Sequence, residues 1–414
     1  MKKQFSDDAA ASCPANQGRS SFCPTKWTLV FLLLSSTLIL MGGAAVAPAL
    51  PSISAAFPDA SETMVSLIIT LPSLAVALTG FLLGAFSDRI GRLPVLIGSI
   101  LLFTVAGTSG YYLDSLEAIL VGRFIVGIGI GGITTTITSL IAEYYSGITR
   151  TKVLGYQAGA MGIGALILET GGGFLAGVSW RISFLIYLIG AVILIGIFLT
   201  MREPKRECVP YQSEPGNPSA AAVLSVTELA ILYVTLFLGV ALFFLMPTKL
   251  PYLLSGLLGS DAAIISGVIL GLMGVASMVA SVNVWRIVRR VNRQVVIGLA
   301  FVCMAAGMLL LGVVSDLVPV VAAVAVIGFG NGLLMPSITM WLSEIVPMPV
   351  MGKATGGFSV SLNLGNFSSS LLAVPLLIVV GTYAGLFAVC GVAALGIGVI
   401  IVGSFWFRRR KVSV

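Results

Sequence analysis

The chain has 414 residues, 57% of them hydrophobic and only 9% charged, with a mean hydropathy of +1.07. A soluble domain carries about one-quarter charged residues, so a soluble fold is excluded. The formal charge of +7 is no nucleic-acid footprint, because the basic residues cluster in short segments between apolar stretches, where they act as topology signals.

In chain order, residues 1–26 are polar and open with Lys2 and Lys3. The apolar run behind them starts too late and runs too long for a secretory signal, so this segment is expected to be a cytoplasmic tail. Twelve candidate spans follow, at 27–50, 64–86, 94–112, 116–141, 154–177, 180–201, 224–250, 261–285, 293–314, 317–343, 353–379 and 381–407. Each is close to the 20 or so apolar residues that cross a hydrocarbon core of roughly 30 Å. The polar stretch 202–222, with Pro204, Pro210, Pro215 and Pro218, reads as a cytoplasmic linker between a six-helix bundle at 27–201 and another at 223–407. A basic tail at 408–414 ends the chain. The fold class is therefore an all-α membrane protein of twelve transmembrane helices in two pseudo-symmetric six-helix bundles.

Charge gives the orientation. Of the 23 basic residues, 20 lie on one side of these spans, leaving Arg123, Arg181 and Lys249, while the opposite loops carry Asp59, Glu62, Asp114, Glu117, Asp261 and Asp316. The positive-inside rule then places both termini in the cytoplasm, in a multi-pass protein of the cell membrane. The chain has no histidine, and its five cysteines show no C-x-x-C pair. Neither a metal site nor a cofactor is expected, and any proton coupling must rest on carboxylates.

An internal repeat supports the two halves. Gly127, Gly129, Gly131, Glu143, Lys152 and Gly155 recur at a constant offset of 201 as Gly328, Gly330, Gly332, Glu344, Lys353 and Gly356. Gly127, Gly129, Gly171, Gly172, Gly173, Gly328 and Gly330 are expected to pack helices closely, with helix bending as a compatible role.

Between the second and third spans the sequence reads Gly84-Ala85-Phe86-Ser87-Asp88-Arg89-Ile90-Gly91-Arg92. This resembles the G-x-x-x-D-R-x-G-R signature of the major facilitator superfamily, and with the twelve spans and the half repeat the resemblance covers the whole membrane region. It implies a gating loop of Asp88, Arg89, Gly91 and Arg92 that latches the cytoplasmic side of the two halves. The second-half equivalent, Arg289-Arg290-Val291-Asn292-Arg293, has Arg for Asp and Asn for Gly, so a latch on one side only is expected. Arg123 and Gly127 match the family's R-x-x-x-G pattern. In span five the proline position of the family's drug-antiporter motif is held by Glu169, ahead of Gly171, Gly172 and Gly173.

A guanidinium in hydrocarbon needs a partner. At 1.5 Å per residue, Glu169 lies about 22 Å from the cytoplasmic start of span five and Arg123 about 10 Å from the outer start of span four, which are similar depths. The two are expected to form a buried ion pair, acting either as a structural clamp or as a proton-coupling element in which Glu169 titrates. Tyr156, Gln157, Asn331, Trp341, Asn363 and Asn366 are candidates for a substrate cavity, or for interhelical hydrogen bonds.

The resemblance implies a secondary transporter working by alternating access. No nucleotide-binding loop and no nucleophile–base constellation points to an ATPase or another enzyme. Few charges lie at mid-membrane depth, so a small lipophilic or weakly polar substrate is expected, moved by proton-coupled efflux. The expected partners are that substrate, protons and membrane lipid, with the protein a monomer. An importer or uniporter of a small metabolite is the alternative within transport, and a non-transporting receptor or sensor is the alternative from another class.

Overall fold

Inside hydrocarbon each backbone N–H and C=O must be satisfied within its own segment, which forces the apolar runs into helices. The computed structural model describes residues 24–203, 226–313, 316–347 and 350–412. Among these, eleven helices are long and apolar enough to span a membrane. They are α2 (Glu62–Ile90), α3 (Arg92–Tyr112), α4 (Leu116–Tyr144), α5 (Lys152–Val178), α6 (Trp180–Thr200) and α7 (Val226–Leu258), then α8 (Ala262–Val288), α9 (Arg293–Leu311), α10 (Leu317–Ile345), α11 (Met351–Val380) and α12 (Tyr383–Gly403). A pair bent by 40°, Lys26–Gly42 with Ala45–Ala56, makes a twelfth span, α1.

The first span thus departs from the expected 27–50: it breaks at Gly42–Gly43 and continues through Pro48 and Pro51 to Ala56. The other ends follow local signals. Ser61 caps α2 by accepting from the Met64 N–H, Ser115 caps α4 from Ala118, and Asn292 caps α9 from Gln294. The helix of α12 continues to Val412, into the segment expected as a basic tail. The expected N-terminal tail and central linker fall almost wholly outside the described residues.

The repeat is visible in the packing. The Gly127 backbone faces the Pro72 carbonyl of α2, and Gly129 faces the Ser99 carbonyl of α3. Gly328 and Gly330 face the Met273 and Ala300 carbonyls of α8 and α9. Both contacts repeat at the same offset of 201, so α4 wedges between α2 and α3 as α10 does between α8 and α9. Small residues allow this approach, and a side chain at any of the four would drive into a neighbouring backbone. Gly172 meets Ala45 of α1 and Gly173 meets Gly267 of α8, whereas Gly171 only approaches Ile186.

The halves meet through α5 with α8 and α2 with α11. These seams are closed at the end away from the basic loops. At the basic end, Gly155 and Gly159 of α5 and Gly352 and Gly356 of α11 have no atom within 4 Å of where a Cβ would stand. The structure is open at its Arg- and Lys-rich end and shut at the other.

Candidate functional site

The break in α1 leaves the Met41 and Gly42 carbonyls without helical partners, as at any helix C-terminus. Arg123 and Tyr187 fill that vacancy. The Arg123 guanidinium, fully buried, donates from Nη2 to the Gly42 carbonyl and the Tyr187 hydroxyl, and from Nε to the Ile68 carbonyl at 2.8 Å. The Tyr187 hydroxyl donates in turn to Met41 O at 2.7 Å, and the guanidinium carbon lies 4.9 Å from the Tyr187 ring centroid. One cation therefore binds α4 to α1, α2 and α6.

The expected Arg123–Glu169 ion pair is absent, and the reason is azimuth rather than depth. Arg123 turns toward carbonyls freed by a break that hydropathy does not register. Glu169 lies one heptad after Gly162, which meets Met278, and four residues before Gly173, which meets Gly267. That places it at the centre of the stripe facing α8 in the second half. It is 8% exposed, and its Oε2 has no hydrogen-bond partner. Its own carbonyl oxygen approaches Gly267.

At the closed end the halves are tied by polar contacts, of which the sequence had pointed to Asn366 alone. Lys249 of α7, 1% exposed, donates to Glu62 Oε1 at 2.8 Å and to Ser66 Oγ at 3.2 Å. The Tyr383 hydroxyl of α12 donates to Glu62 Oε2 at 2.7 Å, and the Tyr383 and Tyr252 rings stack 5.8 Å apart. Deeper in the α2–α11 seam, Thr70 bonds Ser370 at 3.2 Å, and Asn366 Nδ2 donates to Ser73 at 2.6 Å. For the Glu62 cluster the signal in the sequence was Lys249 itself, a basic residue on the wrong side for the charge rule.

At the basic end Arg92 is the hub. It reaches Asp88 at 2.5 Å, Glu143 at 3.0 Å and Ser87 Oγ at 3.2 Å. Glu203, which follows α6, accepts from the Arg92 and Leu93 backbone N–H groups at 2.7 and 2.6 Å and so caps α3 from outside its own helix. Gly91 sits beneath that carboxylate with φ at 131°. A Cβ there would lie 3.0 Å from Glu203 Oε1 in a backbone region that only glycine adopts freely. In this open state the loop ties α2, α3, α4 and the end of α6 within the first half. Arg89 is exposed and has no partner among the described residues.

The cavity candidates divide. Gln157 of α5 donates to Ser36 of α1 at 3.0 Å, and Tyr156 is 37% exposed. Asn363 is half-buried and donates to Ser359 O of its own helix at 2.9 Å. Asn331 reaches Ser277 at 3.4 Å, its Oδ1 buried and unpartnered. Asn366 belongs to the seam rather than to an open wall. Trp341 is misplaced by the expectation: it is buried at the basic end of α10, its ring 5.7 Å from the Arg293 guanidinium.

The family model described as Major Facilitator Superfamily matches residues 32–370. Multidrug resistance protein 1 of Bacillus subtilis (strain 168) is 30% identical over 183 residues, 43% of this chain and 46% of that one. The minor myo-inositol transporter IolF of the same organism is 26% identical over 365 residues, 82% of each chain. The chain spans about half the length of the first curated relatives it matches. Among solved structures, a bacterial homolog of the human lysosomal transporter Spinster, in its inward-facing and occupied conformation, superposes with a TM-score of 0.71 at 15% identity, over 93% of this chain and 96% of that one.

Proposed function

The chain belongs to the major facilitator superfamily of membrane transporters, and on that premise we propose that it exports a small, lipophilic or weakly polar molecule across the cell membrane in exchange for protons. The basic end is taken as cytoplasmic, so the state described above faces inward. Relatives named as multidrug and tetracycline resistance proteins support this direction.

The observation that carries the coupling is Glu169. It lies in the α5–α8 seam between the halves, nine-tenths buried, with one carboxyl oxygen bonded to nothing. A carboxylate left bare in an apolar seam costs several kcal/mol, whereas the neutral acid suffers far less. Closing the outer seam then favours a protonated Glu169, and opening it returns the group to water. A proton taken up from the outer side as the seam shuts leaves to the cytoplasmic side when substrate binds in the inward-facing state, before the seam reopens, so that each substrate exported is exchanged for a proton brought in.

In proteoliposomes with an imposed pH gradient, Glu169→Gln is expected to fold, to bind substrate and to exchange it at equilibrium. Its gradient-driven accumulation is expected to fall at least tenfold. Undiminished gradient-driven transport in that variant overturns the coupling. A panel of dyes, antibiotics and metabolites in inside-out vesicles identifies the substrate. The match to IolF over 82% of both chains supports a second reading, uptake of a small hydroxylated metabolite. Substrate accumulation in right-side-out vesicles would decide for it.

A further inference from the structure

The loop joining α8 to α9 is the second-half counterpart of the Asp88–Arg92 loop, with its charge reversed. At the offset of 201, Arg289 stands for Asp88, Arg290 for Arg89 and Arg293 for Arg92. Arg293 keeps the first-half contact, pairing with Glu344 as Arg92 pairs with Glu143. Glu344 is thereby engaged. Arg289 and Arg290 are exposed, and neither meets a carboxylate among the described residues.

What Arg289 does meet is an aromatic ring. The Trp285 indole, 46% exposed, has the Arg289 guanidinium 4.7 Å and the Arg286 guanidinium 5.2 Å from its centroid. Above it on the same helix face, Val282 is 64% and Val279 50% exposed. Positions 279, 282, 285 and 289 follow helical spacing, so a single stripe passes from aliphatic to aromatic to cationic toward the end of α8. Indoles settle at the headgroup level of a bilayer, and guanidiniums offer a planar fork to phosphate oxygens.

We propose that Trp285, Arg286, Arg289 and Arg290 form a binding site for the headgroup of an anionic phospholipid in the leaflet bordering this loop, its acyl chain lying along Val282 and Val279. A general topology signal needs only charge near a helix end. Here an arginine stands where the first half has an acid, an indole carries two guanidiniums, and the face above is apolar and bare. The site depends on neither the direction nor the coupling of transport.

The test uses the full chain in nanodiscs of phosphatidylcholine with or without phosphatidylglycerol, and native mass spectrometry to read retained lipid. Each basic residue near an anionic surface strengthens binding by about fivefold, so Arg289→Ala/Arg290→Ala is expected to retain phosphatidylglycerol about thirtyfold less. Arg289→Lys/Arg290→Lys is expected to lose much less, and Arg150→Ala, at the same end, no more than the single-residue factor of about five. Acyl-brominated phosphatidylglycerol is expected to quench Trp285 more than brominated phosphatidylcholine does, read as the difference between wild type and Trp285→Phe. That arm needs no arginine variant. Equal retention by wild type and the double alanine variant, or equal quenching by the two lipids, overturns the site. So does equal thermal stabilisation by inorganic phosphate in phosphatidylcholine alone, which would mark a small-anion site.

Discussion

Glu62 and Lys249 meet at 2.8 Å across the boundary between the two halves, and Lys249 is almost wholly buried there. The pair exists only while the outer end is shut, since its members lie on α2 and α7. Removing one member strands the other, and stranding a buried charge costs about 3–5 kcal/mol. Glu62→Gln, which strands the buried Lys249, is therefore expected to shift the population toward the outward-open state by a factor of a hundred or more, and Lys249→Met, which leaves a partly exposed Glu62 still bonded to Tyr383, by less. Glu62→Gln/Lys249→Met is expected to shift it less than Glu62→Gln alone, because no buried charge is then stranded. Thiol labelling of Thr70→Cys from the outer side, a position fully buried in this state, measures the shift. Labelling no faster in the single variants than in the parent would remove the gate from the account.

Arg123 is stabilised by carbonyls and a hydroxyl rather than by a counter-charge. Tyr187→Phe deletes one acceptor and frees the Met41 carbonyl, with an expected loss of about 1–3 kcal/mol. Arg123→Ala uncovers the Gly42 and Ile68 carbonyls and leaves the Tyr187 hydroxyl oxygen without its donor, and is expected to lower the yield of folded protein several-fold. A double-mutant cycle of Arg123→Gln with Glu169→Gln, read by thermal unfolding in detergent, is expected to give a coupling below about 0.5 kcal/mol. A coupling of several kcal/mol would restore the ion pair that depth alone suggested.

The contrast between Arg123 and the glycines marks what a sequence of this kind discloses. Twelve spans are legible because the membrane imposes one length and one composition on every element. The offset of 201 is legible because Gly127 and Gly129, like Gly328 and Gly330, each face a carbonyl on a neighbouring helix, which tolerates no side chain. Depth is legible from the helical rise, but rotation about the helix axis is not, so two residues at one depth read as partners when they face different neighbours. The break in α1 was signalled by Gly42-Gly43 and Pro48, yet only its consequence, two orphan carbonyls, explains Arg123. Arg123, Arg181 and Lys249, the three basic residues outside the charge rule, all have specific partners, Arg181 pairing with Asp114 at 2.7 Å. That exception set was the clue to the outer contacts. Glu62, 187 residues from Lys249, carries no local mark of its role.

Glu203 extends the Asp88–Arg92 loop beyond its linear signature. Its carboxylate takes two backbone N–H groups at the start of α3, where an anion also meets the positive end of the helix. Glu203→Ala is expected to cost about 0.5–2 kcal/mol, as loss of a helix cap does, and to loosen the end of α6 from α3. Gly91→Ala strains the backbone and pushes the same carboxylate away, so the two substitutions are expected to be less than additive. Transport rate and unfolding temperature of the two singles and the double variant measure this. Strict additivity would separate Gly91 from Glu203 and leave the glycine as a turn residue alone.

Gly267 sets how closely the two halves can approach at the α5–α8 seam. A Cβ there would stand 2.6 Å from Glu169 O and 2.8 Å from Gly173 Cα, both backbone atoms that cannot swing aside. Gly267→Val therefore obstructs the closed outer seam while leaving the outward-open state, in which α5 and α8 have parted, free of the clash. Overpacking of this kind costs about 1–3 kcal/mol or more, enough to move a balanced two-state equilibrium tenfold. The variant is expected to fold, to bind substrate from outside and to transport at least tenfold more slowly, with Thr70→Cys labelled faster from the outer side. Gly159→Val, at a position with open space around it in this state, is expected to leave that labelling rate no faster. If both valines slow transport without changing outer labelling, the seam is a packing surface and not the element that alternates.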